Sequence, residues 1–183
     1  MLKKLLGTVA LCVATGTASA ADTVWQFGYT GFQRAETGQF VATEHHLGAF
    51  SGKDVDGDGV LQQSELSRFW VDSSRDLIGP DECKAIYNSC ELTGFSYDLR
   101  SGELTFTAST VYRDEAAASH YEIVAGSYVS ADGYTPTGSG SVTWLWTDQT
   151  RFEITPAPVP EPATAWLLGI GLAAVGVAAR RRR

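Results

Sequence analysis

Positive charge is scarce in the central part of this 183-residue chain. Residues 22–155 carry 20 acidic side chains and only 8 basic ones, a formal charge of −12. Such a surface repels the phosphates of nucleic acids, so we expect no nucleic-acid binding. The same charge favours solubility and the binding of divalent cations.

Catalytic signatures are also missing. The sequence has no G-x-S-x-G, no H-E-x-x-H and no phosphate-binding glycine loop. Histidine is limited to His45, His46 and His120. Neighbours on a strand point to opposite faces, so we interpret His45 and His46 as plain surface or strand residues. A zinc or catalytic site with Glu44 is the alternative. We predict that the protein is not an enzyme. A surface hydrolase is the alternative, because scattered acid pairs leave no signature.

The apolar run near the N-terminus is too short to span a membrane. It covers residues 5–13, whereas a spanning helix needs about 20 residues. Lys3 and Lys4 precede it, and the small residues Ala18-Ser19-Ala20 follow it. This order is typical of a secretory signal peptide, which we assign to residues 1–21. An N-terminal core helix is the alternative.

The C-terminal end has three parts. Residues 156–162 hold four of the six prolines and predict an extended, semi-rigid linker. Residues 163–179 carry no charge, and as a helix they would reach roughly 25 Å, enough to span a bilayer with local thinning. Residues 180–183 are arginines, which stay cytoplasmic by the positive-inside rule. The domain at 22–155 is then outside.

These parts carry a family resemblance. Val159-Pro160-Glu161-Pro162-Ala163, followed by an apolar helix and a terminal arginine cluster, resembles a PEP-CTERM sorting signal. The resemblance implies processing near Pro160, Glu161 and Pro162 by an exosortase, a membrane protease-transferase. It implies a Gram-negative host, usually one that makes exopolysaccharide. We expect an exported, single-pass precursor held in the inner membrane, and then a location in the cell envelope or extracellular matrix. An ordinary tail anchor is the alternative.

Cysteine is rare after the signal peptide, where only Cys83 and Cys90 occur. An even pair in an exported domain indicates a disulfide. Seven residues of straight helix would hold the two Cα atoms roughly 10 Å apart, whereas a disulfide needs less than about 7 Å. Residues 84–89 must therefore turn back if the bridge forms. Two free thiols are the alternative.

Residues 22–155 are enough for one domain with one core. Apolar and polar residues alternate with a period of two, as at Leu104, Phe106 and Ala108, and the runs are rich in aromatic and β-branched residues. The pattern predicts strands at 24–32, 39–49, 92–97, 103–111, 121–129, 140–146 and 151–154. We expect turns at 98–102 and 132–133, a turn of helix within 115–120 and a surface loop at 133–140. The predicted fold is mainly β, an antiparallel β-sandwich or open barrel.

Residues 54–65, DVDGDGVLQQSE, match the EF-hand calcium loop at all 12 positions. Calcium takes six to eight oxygen ligands. The expected ligands are Asp54, Asp56, Asp58, the Val60 carbonyl, Gln62 through water, and Glu65 with both oxygens. Gly59 permits the sharp turn at position six, and Leu61 at position eight should pack into the domain.

The flanks of this loop differ from those of a true EF-hand. Residues 48–52 are poor helix formers, so we expect a calcium loop inserted into a β domain. Calcium sensors work by moving two helices, so a structural Ca²⁺ ion is the favoured interpretation. A solvated aspartate-rich turn without an ion is the alternative.

Trp144 and Trp146 share one face of a predicted strand. If exposed, they would form an aromatic platform for sugar rings, as would Trp25 or Trp70. If buried, they are core residues, which is the favoured interpretation. The sequence therefore predicts a non-enzymatic envelope or matrix protein stabilised by calcium. The alternatives are an exopolysaccharide-binding module and a surface hydrolase.

Overall fold

The computed structural model describes residues 22–72, 74, 76–78 and 86–156. They form ten strands and one short 3₁₀ turn: β1 Thr23–Arg34, β2 Phe40–Gly52, β3 Val60–Gln62, the 3₁₀ turn Gln63–Glu65, β4 Leu66–Val71, β5 Asn88–Asp98, β6 Leu104–Arg113, β7 Ala118–Val124, β8 Tyr128–Thr135, β9 Gly138–Leu145 and β10 Arg151–Thr155. Within these residues no helix is long and apolar enough to cross a membrane. The predicted signal peptide, spanning helix and arginine cluster lie outside them.

All ten strands belong to one antiparallel sheet. Its order is β3-β5-β6-β7-β8-β9-β1-β2-β4, and β10 also pairs with β1. The two end strands, β3 and β4, are consecutive in the chain, and only the 3₁₀ turn separates them. The sheet therefore curls into a nearly closed, barrel-like shape with a seam between β3 and β4. The prediction of a mainly β, antiparallel fold is confirmed.

Aromatic side chains from both sides of the seam fill one half of the interior. The buried rings of this aromatic half are Trp25, Phe27, Phe50, Phe69, Phe95, Tyr97 and Phe106. Phe50 is central, with ring centroids of Trp25 at 5.2 Å, Phe95 at 5.1 Å and Tyr97 at 5.2 Å. The first pair is stacked and the other two are edge-on, the geometries that aromatic quadrupoles favour.

The far ends of β6, β7, β8 and β9 extend beyond this core. We call them the lip: residues 109–113, 118–122, 130–135 and 138–142. The four segments are paired in register, as in the row Thr110, Tyr121, Ala131 and Val142. None of these residues is buried. The backbone ladder therefore continues beyond the last fully buried side chains, with Tyr121 of the lip packed against the core from outside it.

The predicted elements were wrong in and beside the lip. The single strand expected at 121–129 is the hairpin of β7 and β8, because Gly126 adopts a left-handed φ of 77° and turns the chain. The turn expected at 132–133 lies inside β8, where a Cβ on Gly133 would come within 2.9 Å of the Ala118 carbonyl. That glycine serves close strand approach, not a turn.

Two other local predictions in this part of the chain were also wrong. The loop expected at 133–140 is the β8–β9 hairpin, whose turn is only residues 136–137. The helical turn expected within 115–120 is absent there, since β7 begins at Ala118. By contrast, the turn at 98–102 is confirmed, and the Gly102 amide donates to the Asp98 carbonyl at 2.9 Å.

The outer edge of β4 is covered by the segment that follows it. The Leu77 amide donates to the Phe69 carbonyl at 2.8 Å, and Asp76 Oδ1 accepts from the Phe69 amide at 3.1 Å. Ser74 Oγ accepts from the Val71 amide at 2.9 Å. These bonds occupy backbone groups that an edge strand would otherwise leave open to another chain.

The chain enters and leaves the domain at the same end of the barrel. Thr23 pairs with Gly52, the last residue of β2, and Thr155 pairs with Gln26. We call this the loop end. The β5–β6 turn also belongs to it, because the Leu99 amide donates to the Gly59 carbonyl at 3.0 Å.

Candidate functional site

The acidic loop, residues 54–65, lies across the seam of the sheet. On one side, Gly52 pairs with Leu66, and the Lys53 amide donates to the Glu65 carbonyl at 3.2 Å. On the other side, the Gly59 carbonyl accepts from Leu99 in the β5–β6 turn. The loop is thus attached to both edges that the strands leave unjoined.

The aspartates of the loop face inward onto its own backbone. Asp54 accepts from the amides of Gly57 at 2.7 Å and Gly59 at 3.0 Å. Asp58 Oδ1 accepts from the Val60 amide at 2.7 Å. Gly57 and Gly59 have left-handed φ values of 76° and 86°, which glycine adopts without steric cost.

Three carboxylates of the loop lie close together. One oxygen from each of Asp54, Asp56 and Asp58 lies within 4.8 Å of the others. Like charges at this separation repel, and a hard divalent cation with oxygen ligands would offset that repulsion. The donor set therefore fits calcium chemically.

Glu65 closes the loop from its last position. Its two oxygens accept from the amides of Gln62 at 2.9 Å and Val55 at 2.7 Å. The hydrogen bond from Gln62, followed by that from Val55, lowers the pKa of the Glu65 carboxyl, so it is ionised at neutral pH. A carboxylate accepts at about four sites, so two amide bonds leave lone pairs for a metal.

The remaining loop positions are held by β3. Val60 is its first residue and pairs with Asp98. Gln62 Nε2 lies 3.4 Å from Asp58 Oδ2, so its side chain reaches across the loop. Leu61 is fully buried, which confirms the expectation for position eight. Strand β2 precedes the loop and β3 lies within it, as expected for an insertion into a β domain.

The predicted tryptophan platform is half-buried. The Trp146 ring packs edge-on against Phe32 at 4.7 Å and Tyr29 at 5.2 Å. The guanidinium carbon of Arg34 lies 5.8 Å from the centroid of the Trp144 ring. Both tryptophans pack against the core. Among the tryptophans that the structure describes, Trp70 is the exposed one, at 39% exposure.

The disulfide and the sorting motif stay predictions as far as the structure is concerned. Cys90 lies half-buried on β5 against the core, and its expected partner Cys83 is outside the described residues. Pro160, Glu161 and Pro162 also lie outside them.

One polar cluster was not predicted. Asp72, directly after β4, accepts from His46 Nδ1 at 2.7 Å, from the Leu47 amide at 2.9 Å and from the Tyr121 hydroxyl. Burial opposes ionisation of Asp72, but the bonds from His46 and Tyr121 outweigh it and lower the pKa of the carboxyl. His46 and Tyr121 lie 26 and 49 residues from Asp72 in the chain, so no local sequence pattern predicts this cluster.

The two adjacent histidines point to opposite faces, as expected. His46 is buried and His45 is exposed. The Asp72 cluster joins β2, the segment after β4, and β7 of the lip. It therefore connects the lip to β2 and to the end of β4.

Residues 158–183 match the PEP-CTERM protein-sorting motif. The motif supports an exported protein sorted by exosortase and implies a membrane-anchored precursor in a Gram-negative bacterium. No curated protein and no solved structure matches the chain. The matched residues lie outside the β domain, so they carry information about its sorting and none about the acidic loop.

Proposed function

We propose that this chain is a non-enzymatic protein of the cell envelope or extracellular matrix, whose exported β domain is stabilised by calcium in the acidic loop. The observation that supports the calcium part is the position of the loop, attached to both sides of the seam. The sorting motif supports export and exosortase processing.

Calcium would stabilise the folded state in two ways. It would offset the repulsion among Asp54, Asp56 and Asp58, and it would hold the two edges of the sheet in register. The Val60 carbonyl, Gln62 through water, and Glu65 would complete the ligand set. Extracellular calcium modules bind with a Kd of about 10⁻⁴–10⁻³ M. An ion at ten times its Kd adds about 1.4 kcal/mol to the free energy of unfolding.

The test is thermal unfolding of the full-length chain in detergent, first in EDTA and then with added CaCl₂ or MgCl₂. We expect calcium to raise the Tm by about 3–6 °C, the shift that corresponds to 1–2 kcal/mol in a chain of this size. Magnesium should raise it less, because it favours six-fold geometry and retains its water.

A pair of matched variants makes this test specific. Asp54→Asn, at the first loop position, where the calcium motif requires aspartate, should remove most of the calcium response. Asp148→Asn makes the same charge change on an exposed turn after β9 and should leave the response intact. The calcium proposal is wrong if EDTA leaves the Tm unchanged, or if Asp54→Asn responds as the unaltered chain does.

Carbohydrate binding is a second candidate function. The half-buried positions of Trp144 and Trp146 limit the ring area that they offer. The exposed ring of Trp70 is the observation that favours this function, and its surroundings specify the ligand more closely.

A further inference from the structure

Trp70 stands on the outer face of the sheet between two grooves. A groove of about 350 Å³ lies on its β1–β10 side, lined among others by Gln26, Gly28, Thr30, Leu47, Glu153 and Thr155. A second groove of about 490 Å³ lies on its other side, lined by Val24, Ser51, Arg68, Ser74 and Asp76. Trp70 lines both grooves. Their volumes are within the range of about 300–1,000 Å³ typical of small-molecule sites.

Strand register places Trp70 at the end of a row across four strands. Trp70 pairs with Ala49, Ala49 with Gln26, and Gln26 with Thr155. With about 4.8 Å between strands, the row is about 14 Å long. Of the two middle residues, Ala49 is small and buried, whereas the Gln26 side chain is exposed. A Cβ on Gly28, the next outward position along β1, would come within 2.9 Å of Leu47 Cδ2.

Apolar and polar groups alternate on this face. Val24, Leu47 and Trp70 are exposed at 58%, 49% and 39%. Polar side chains stand between and beside them, among them Gln26 and Glu153. A stable protein interface usually has an apolar core with few charged residues, whereas this face has no uninterrupted apolar centre.

A sugar ring can contact both the apolar and the polar groups of such a face. Its C–H face packs on an indole ring, and its hydroxyls act as both donors and acceptors at the rim. The carboxylate of Glu153 accepts, the guanidinium of Arg68 donates, and the amide of Gln26 does both. An extended chain of sugars fits a row of this length, with a groove on either side of the Trp70 ring.

The charge of the domain decides which sugars fit. At −12 over residues 22–155, it repels chains that carry carboxylates or sulfates. We propose that the Trp70 face binds a neutral oligosaccharide, with one pyranose ring stacked on Trp70. The site is formed by β1, β2, β4 and β10, and it does not depend on calcium in the acidic loop.

The experiment follows the indole N–H resonance of Trp70 by NMR in the full-length chain. The detergent should carry no sugar, such as an alkyl amine oxide, because alkyl maltosides would compete. The probes are cellohexaose, mannohexaose and chitohexaose, with hexagalacturonate as the acidic counterpart. At least one neutral probe should shift the Trp70 indole and the amides of Gly28 and Leu47 saturably, with a Kd below about 1 mM. Hexagalacturonate should bind at least tenfold more weakly.

Three variants locate the site. Trp70→Ala should weaken binding at least tenfold, and Glu153→Gln should weaken it less. Tyr134→Ala removes an exposed aromatic ring from the lip and should leave the Kd unchanged. Unchanged amide resonances of β5 and β6 show that each variant is folded.

Several results would overturn the proposal. These are no saturable shift at Trp70 with any neutral probe, binding that survives Trp70→Ala, or tighter binding of hexagalacturonate. A Trp70 shift that depends on protein concentration alone would identify a second copy as the occupant. Repeating the titration in EDTA separates this proposal from the calcium proposal, because sugar binding should persist there even if calcium binding fails.

Discussion

The aromatic half and the lip are parts of one continuous ladder of hydrogen bonds, yet they differ in what surrounds the backbone. Phe50, Phe69 and Tyr97 are at most 1% exposed, whereas no residue of the lip is buried. Strand pairing alone therefore does not distribute stability evenly over a sheet. The aromatic half supplies the burial, and the lip extends from it as paired strands whose register is already set.

The comparison is tested most strongly by truncating one side chain in the aromatic half and one in the lip. Phe50→Ala should cost about 3–5 kcal/mol of unfolding free energy, because it removes a ring that packs against four others. Val142→Ala in the lip should cost less than about 1 kcal/mol, since that side chain is only half-buried. Urea unfolding measures both. Similar costs would show that the lip is as tightly packed as the aromatic half.

Glycine gives a second matched pair. A Cβ at Gly48 would lie 2.3 Å from Phe27 Cζ and 2.7 Å from the Trp70 carbonyl, so Gly48→Ala should destabilise by about 1–3 kcal/mol. A Cβ at Gly140 would meet nothing within 4 Å. Gly140→Ala should be neutral or stabilise by up to about 1 kcal/mol, because alanine restricts the unfolded chain.

The readout for this pair is again the urea midpoint. A destabilising Gly140→Ala would mean that other residues pack closely against position 140 of the lip. A neutral Gly48→Ala would mean that the aromatic half can relax around an added methyl group.

A third comparison concerns the Asp72 cluster, which connects the lip to β2. The lowered pKa of Asp72 means that its ionised form stabilises the fold at pH values above about 3.9, the ordinary carboxyl pKa. That contribution is lost as the pH falls through the lower pKa of the folded state. Asp72→Asn should therefore cost about 1–3 kcal/mol at pH 7, and the difference from the unaltered chain should shrink at pH 3.

The control for Asp72 lies in the lip. Asp132 accepts from His120 Nδ1 at 3.2 Å, but it is exposed. Asp132→Asn should leave the unfolding free energy at pH 7 within experimental error. A cost for Asp72→Asn that is the same at pH 7 and pH 3 would show that charge on Asp72 does not stabilise the fold.

The same contrast explains which elements the sequence predicts. Alternation reveals a strand when one face is buried, and it located β1, β2, β5 and β6. In β8 and β9 neither face is buried at the far end, so serine, threonine and glycine there look like a loop. The β7–β8 turn did have a local signal, Gly126-Ser127, but the apolar residues on either side concealed it.

The candidate sites can likewise be predicted only where residues close together in the sequence define them. The acidic loop is defined by spacing within 12 residues, and the burial of Leu61 could be predicted from that spacing. Its position across the seam could not, because it depends on the pairing of Val60 in β3 with Asp98 in β5, which is distant in sequence. The Asp72 cluster and the Trp70 face likewise exist only once separate strands have paired.

The loop end is also where the chain leaves the domain. The linker at 156–162 follows Thr155 directly, and in the extended form that its prolines predict it reaches about 22 Å. The matched sorting motif begins three residues after Thr155, and the lip lies at the opposite end of the barrel. Exosortase would approach the domain from the loop end. The opposite end of the barrel is the lip, which has the least burial to lose if it deforms.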